Sequence, residues 1–92
     1  MPTNVLLDRL KIDLGIVNST VYDERLTVLL DVAEKEIIRE GAATLSRTNT
    51  DDAELIIDFA RWLWLGRREP TEMPRSLRYR LNNRIFAEKA GA

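Results

Sequence analysis

Apolar residues recur along this chain at helical spacing. Leu6, Leu10 and Leu14 stand four apart with Leu7 beside them. On a helix they fill a stripe about 100° wide. Thr3 or Asn4 can cap this first helix and Gly15 ends it. Ile16-Val17-Asn18 then reads as a short extended link. Ser19 or Thr20 is the expected cap of a second helix, with Asp23 and Glu24 placed where carboxylates favour the positive end of the helix dipole. Tyr22, Leu26, Leu29, Leu30, Ala33 and Ile37 make its apolar stripe, and Gly41 follows its last turn. A second row, Val21, Val28 and Val32, runs along the flank of that stripe. One amphipathic helix needs one row, so the second calls for a partner.

Residues 41–49 are a loop by composition. Asn49 or Thr50 caps a third helix that carries Asp51 and Asp52 just inside. Its apolar residues cover most of the circumference, leaving Glu54, Asp58 and Arg61 as a polar strip, the pattern of a helix surrounded by protein. Gly66 closes it. A charged connector, residues 67–73, leads to Pro74 at the start of a fourth helix. There Leu77, Leu81 and Ile85 form a narrow seam, with Tyr79 and Phe86 on the opposite side. Residues 88–92 are expected to fray. The pattern predicts an all-α single compact domain of four helices, roughly 4–14, 20–40, 50–65 and 74–88. No stretch alternates with period two long enough to support a sheet. The predicted core joins four seams: Leu6/Leu10/Leu14, Leu26/Leu30/Ile37, Ile56/Phe59/Leu63 and Leu77/Leu81/Ile85.

Composition narrows the chemistry. The chain has 92 residues, no Cys and no His. Thiol nucleophiles, Cys/His zinc sites and imidazole acid–base catalysis are therefore out of reach. Its four glycines are isolated, so there is no phosphate-cradling loop. Asp51 and Asp52 read as helix-start capping, and the spacing of a calcium-binding loop is absent. Ser19, Thr20 and Ser46 have no His to activate them. No catalytic, cofactor-binding or metal-ligating residue is expected, and the reading is a non-enzyme. The early Asp8 and Asp13 argue against a secretory signal, and the most apolar stretch, residues 56–65, is broken by Asp58 and Arg61. No membrane partner is expected.

Charge divides along the chain. Residues 1–66 hold seven Lys/Arg against twelve Asp/Glu, a net −5; residues 67–92 hold seven against three, a net +4; together they make −1. The basic end contains Arg75, Arg78, Arg80 and Arg84. Three readings stay open: a helix that contacts DNA phosphates, a head-to-tail match of basic end and acidic body between copies, or a solvated surface with pairs such as Arg84–Glu88. Arg75 and Arg78 fall on one side of the helix and Arg80 and Arg84 on another, which weighs against one phosphate-tracking face. Trp62 and Trp64 point about 160° apart on a helix. Either both are core, or one faces outward as an interface anchor.

The segments LLDRLKIDLGI, YDERLTVLLDVAEKEIIREG, TDDAELIIDFARWLWLGR and MPRSLRYRLNNRIFAEKAG together resemble the small helical head–tail connector (head-completion adaptor) proteins of long-tailed bacteriophages and prophages. The last segment is the most specific, with its Met-Pro-Arg entry, Leu seam and Asn-Asn-Arg run before a final aromatic. The resemblance implies a structural, non-enzymatic protein of the virion head–tail junction, made in the host cytoplasm. It implies a homo-oligomeric ring, commonly dodecameric, on the phage portal protein. The ring extends the channel for double-stranded DNA and offers a surface to the next head-completion or tail-terminator protein. The alternative is a small nucleic-acid-binding or regulatory module that uses the basic fourth helix. The candidate interface residues are Val21, Val28, Val32, Trp62, Trp64, Arg75, Arg78, Tyr79, Arg80, Arg84 and Phe86, with neighbours joined by the valine row, an outward Trp and Arg–carboxylate pairs.

Overall fold

The computed structural model describes residues 3–91, and side chains from Val5 onward; the predicted Thr3 and Asn4 caps lie outside the described side chains. Four helices follow in chain order: α1 (Thr3–Leu14), α2 (Asp23–Glu40), α3 (Thr50–Leu65) and α4 (Arg75–Gly91). The protein is all-α, and among the described residues there is no strand. No described helix is long and apolar enough to cross a membrane.

Local chemistry sets the boundaries. Asn49 caps α3 as expected, its Oδ1 accepting the Asp52 N–H at 3.1 Å. The predicted cap of α2 is corrected. Ser19 accepts the Val21 N–H at 3.3 Å and builds a turn, the Asp23 N–H goes to the Thr20 carbonyl, and the helix begins only at Asp23. Val21 therefore sits in the turn before α2, off the helix surface that carries Val28 and Val32. The chain reverses after α2 at Gly41, whose φ of +135° is open only to glycine at low cost. The C-terminal end also differs from expectation. Residues 88–91 continue α4, because Glu88 is held by Thr44 across the molecule.

α3 is the centre. It packs against α2 and α1 on its way through the bundle, and α4 lies mainly against α3. The core consists of Leu6 and Leu10 from α1, Leu26, Leu29, Leu30, Ala33 and Ile37 from α2, most of the apolar residues of α3, and Leu77 and Leu81 from α4. Leu14, Leu63 and Ile85, predicted to complete three of the seams, are only half-buried at its margin. The molecule measures 41 × 29 × 18 Å. Its thin axis is less than two helix diameters, so α1, α2 and α4 each keep a face in solvent.

Candidate interface

The outward faces contain more apolar surface than the four seams account for. Val28 and Val32 lie 44% and 39% exposed on the flank of the α2 core stripe, and Val21 is 81% exposed in the preceding turn. On α4, Tyr79 and Phe86 are 68% and 72% exposed, seven residues apart on one face, with Arg75 also in solvent. Leu65 at the end of α3 and Ile12 on α1 are exposed as well. Single apolar side chains at a surface are ordinary, but aligned rows on separate helices are not.

The two indoles part company. Trp62 is half-buried, meets Phe59 edge-on at 5.4 Å and donates its Nε1–H to the Thr71 carbonyl at 3.2 Å. It lines an open groove of about 500 Å³ between α3 and α4, with Leu65, Leu77 and Pro74 as further apolar walls and Arg61 and Arg80 at its rim. Trp64 is only 7% exposed. It receives Tyr22 edge-on at 5.1 Å and carries the Arg67 guanidinium 3.8 Å from its ring centroid. As a candidate interface residue Trp64 is thus a correction: it is buried within its own protomer, against Tyr22 and Arg67.

Three of the four proposed arginines of α4 are engaged within the protomer. Arg78 pairs with Glu40 at 3.2 Å, and Arg80 pairs with Asp58. Arg84 Nε contacts Asp52 at 2.7 Å, while its Nη1 reaches Glu88 at 3.3 Å. The acidic body and basic end predicted to meet between copies meet within one copy. Arg75 alone of the four proposed arginines of α4 has no ion-pair partner among the described residues.

The densest polar cluster was not among the predicted interface pairs. The buried Asp52 accepts Arg84 and, at 3.0 Å, the Ser46 N–H. Glu88 Oε1 accepts both the N–H and the hydroxyl of Thr44, at 2.8 and 2.7 Å. The Thr44 backbone N–H, followed by its hydroxyl, holds the Glu88 carboxyl below the usual carboxylate range. The hydrogen bond to Asp52 raises the Arg84 guanidinium above its ordinary value despite partial burial. A sequence signal for this cluster exists. Asp52 shares a register with Ile56, Phe59 and Leu63, and Arg84 and Glu88 continue the register of Leu77 and Leu81. Charges in a core register imply partners inside the fold.

Two further ties went unpredicted. The buried Lys11 meets Asp23 at 2.8 Å, joining α1 to the start of α2. Arg47 lies between Asp31 at 2.7 Å and Glu34 at 2.8 Å. Burial works to lower its pKa, but the hydrogen bonds to Glu34 and Asp31 outweigh that and raise it. No group of three or more potential metal ligands converges among the described residues. Comparison with family models, with curated proteins and with solved structures finds no match.

Proposed function

We propose that this chain is a structural subunit of a phage head–tail connector, assembling as a ring beneath the portal around the path of the DNA. The observation that carries the reading is the pairing of Arg78, Arg80 and Arg84 inside the protomer, together with exposed apolar rows on α2 and α4. A fourth helix with three of its arginines held by the protomer's own carboxylates has less left to grip phosphates. A channel subunit needs that property, since DNA must slide past it. The exposed valines and aromatics supply the apolar area that contacts between copies, and with the portal and tail-side proteins, would bury. The sequence resemblance supplies the identity of those partners.

A nucleic-acid-binding module is the competing reading, and the pairing of Arg78, Arg80 and Arg84 weakens it. Native mass spectrometry of the purified chain, joined to a titration with duplex DNA, separates the two. Closed rings of many copies with no saturable DNA binding are expected. Saturable, steeply salt-dependent binding by a low-order oligomer overturns the connector reading.

A further inference from the structure

Among the charges outside the internal ion pairs, three stand beside apolar residues on the outward faces of α1 and α2. On α1, Val5, Asp8 and Ile12 fall at i, i+3, i+7 on the side away from the core, and all three are exposed. Asp8 has no ion-pair partner among the described residues. On α2, Arg25, Val28, Val32 and Lys35 fall at i, i+3, i+7, i+10, on the flank of the core stripe and all exposed. Arg25 and Lys35 likewise have no ion-pair partner among the described residues. One helix thus presents an apolar stripe with an acid at its middle. The other presents an apolar stripe bracketed by two cations.

We infer that the α1 stripe of one copy docks on the valine row of α2 in a second copy, as a head-to-tail contact, with Asp8 drawn to Arg25 or Lys35. The inference rests on the ring reading and adds the two surfaces that meet. The spacings match: both stripes repeat at three and seven residues, the seam that lets helices pack at a shallow angle. The α1 stripe is about 10 Å long and the α2 stripe about 15 Å, so the longer seats the shorter. Charge disfavours the self-pairings. The α2 row against itself opposes Arg25 and Lys35 to their own copies, and the α1 stripe against itself opposes two Asp8 carboxylates. Of the pairings these two stripes allow, the crossed one joins apolar to apolar and acid to base. Because the two surfaces differ, each copy keeps one free end of each kind, and the contact propagates until it closes on itself.

Two double variants at exposed positions test this. Asp8→Lys with Ile12→Lys blocks the α1 stripe, and Val28→Lys with Val32→Lys blocks the valine row. Circular dichroism checks that both stay folded, and native mass spectrometry reads the assembly. The wild-type chain is expected to form large assemblies and each variant alone to stay monomeric. Mixed in equal amounts, the variants are expected to give a one-to-one dimer and nothing larger, because the mixture contains one intact pair of surfaces. Glu69→Lys in the exposed connector before α4 is the control and leaves the wild-type assembly in place. If both variants still form the wild-type assembly, or if the mixture gives no dimer while the wild type assembles, the docking inference falls and the ring reading stands. A wild-type chain that remains monomeric at every concentration overturns the ring reading, and this inference with it.

Discussion

Asp52 is the residue on which most of the polar order converges. Its amide is held by Asn49, and its carboxylate receives Ser46 and Arg84. Removing the carboxylate leaves Arg84 half-buried without its closest acid, so Asp52→Ala is expected to cost about 3 kcal/mol in urea unfolding. Asn49→Ala removes only the cap and is expected to cost about 1 kcal/mol. Equal losses for the two variants would mean that Asp52 acts as a helix-start acid and nothing more. Gly41 offers a separate residue-scale test. At its positive φ a Cβ would also stand 3.1 Å from Ile85 Cγ2, so Gly41→Ala is expected to lose about 1–3 kcal/mol. The helical pattern shows that a glycine ends α2. It does not show that α4 passes close enough to press on the same position.

Among the elements, α4 is the least embedded. Two buried leucines anchor it with Ile85 at the core margin, and four polar ties add to them: Arg78 to Glu40, Arg80 to Asp58, Arg84 to Asp52 and Glu88 to Thr44. Such an element should open before the α1–α2–α3 body does. Glu88 has a depressed folded pKa, so its contribution is present above the pKa of the unfolded chain. It is lost as pH falls through the folded value. Hydrogen exchange is therefore expected to show loss of protection at the Thr44 amide and along the end of α4 below the ordinary carboxylate range, while α3 stays protected. Glu88→Gln should lower protection near neutral pH and flatten that pH response. If α3 and α4 lose protection together at the same pH, α4 is not a separable unit.

For the molecule as a whole, the thin 18 Å dimension matters most. A bundle with one central helix cannot cover the outer faces of its other three, and in this chain those faces are not uniformly polar. Val28→Lys with Val32→Lys should therefore leave monomer stability within about 0.5 kcal/mol of wild type, as surface substitutions do. The same change should abolish assembly. Thermal unfolding paired with sedimentation reads both effects in one sample. A large stability loss in the monomer would place the valines inside the protomer's own packing. Assembly through exposed apolar rows and a few free charges should weaken only modestly with salt. A duplex-binding module would lose affinity steeply.

The four helices, their order and most of the core were legible in the amino-acid pattern, because burial on a helix imposes a period that side-chain chemistry displays directly. Leu6, Leu26, Ile56 and Leu81 lie where their spacing puts them. Val28, Val32 and the Tyr79/Phe86 pair were legible for the same reason: a helix has one core stripe, and a second row stands out; Val21 falls in the turn before α2 and leaves that row. Pairing within one helix was legible, as Arg84–Glu88 shows, but pairing between helices was not. Arg84 finds Asp52 and Arg78 finds Glu40 across gaps of thirty-two and thirty-eight residues, and helical periodicity carries no information about which face of one helix meets which face of another. Nor could the pattern choose between Trp62 and Trp64, since both lie on a helix apolar nearly all round. The tertiary packing decided that by setting Tyr22 and Arg67 against one ring and leaving the other at the edge of a groove. Local sequence determines which surfaces a helix offers, and only the assembled fold determines which of them are already taken.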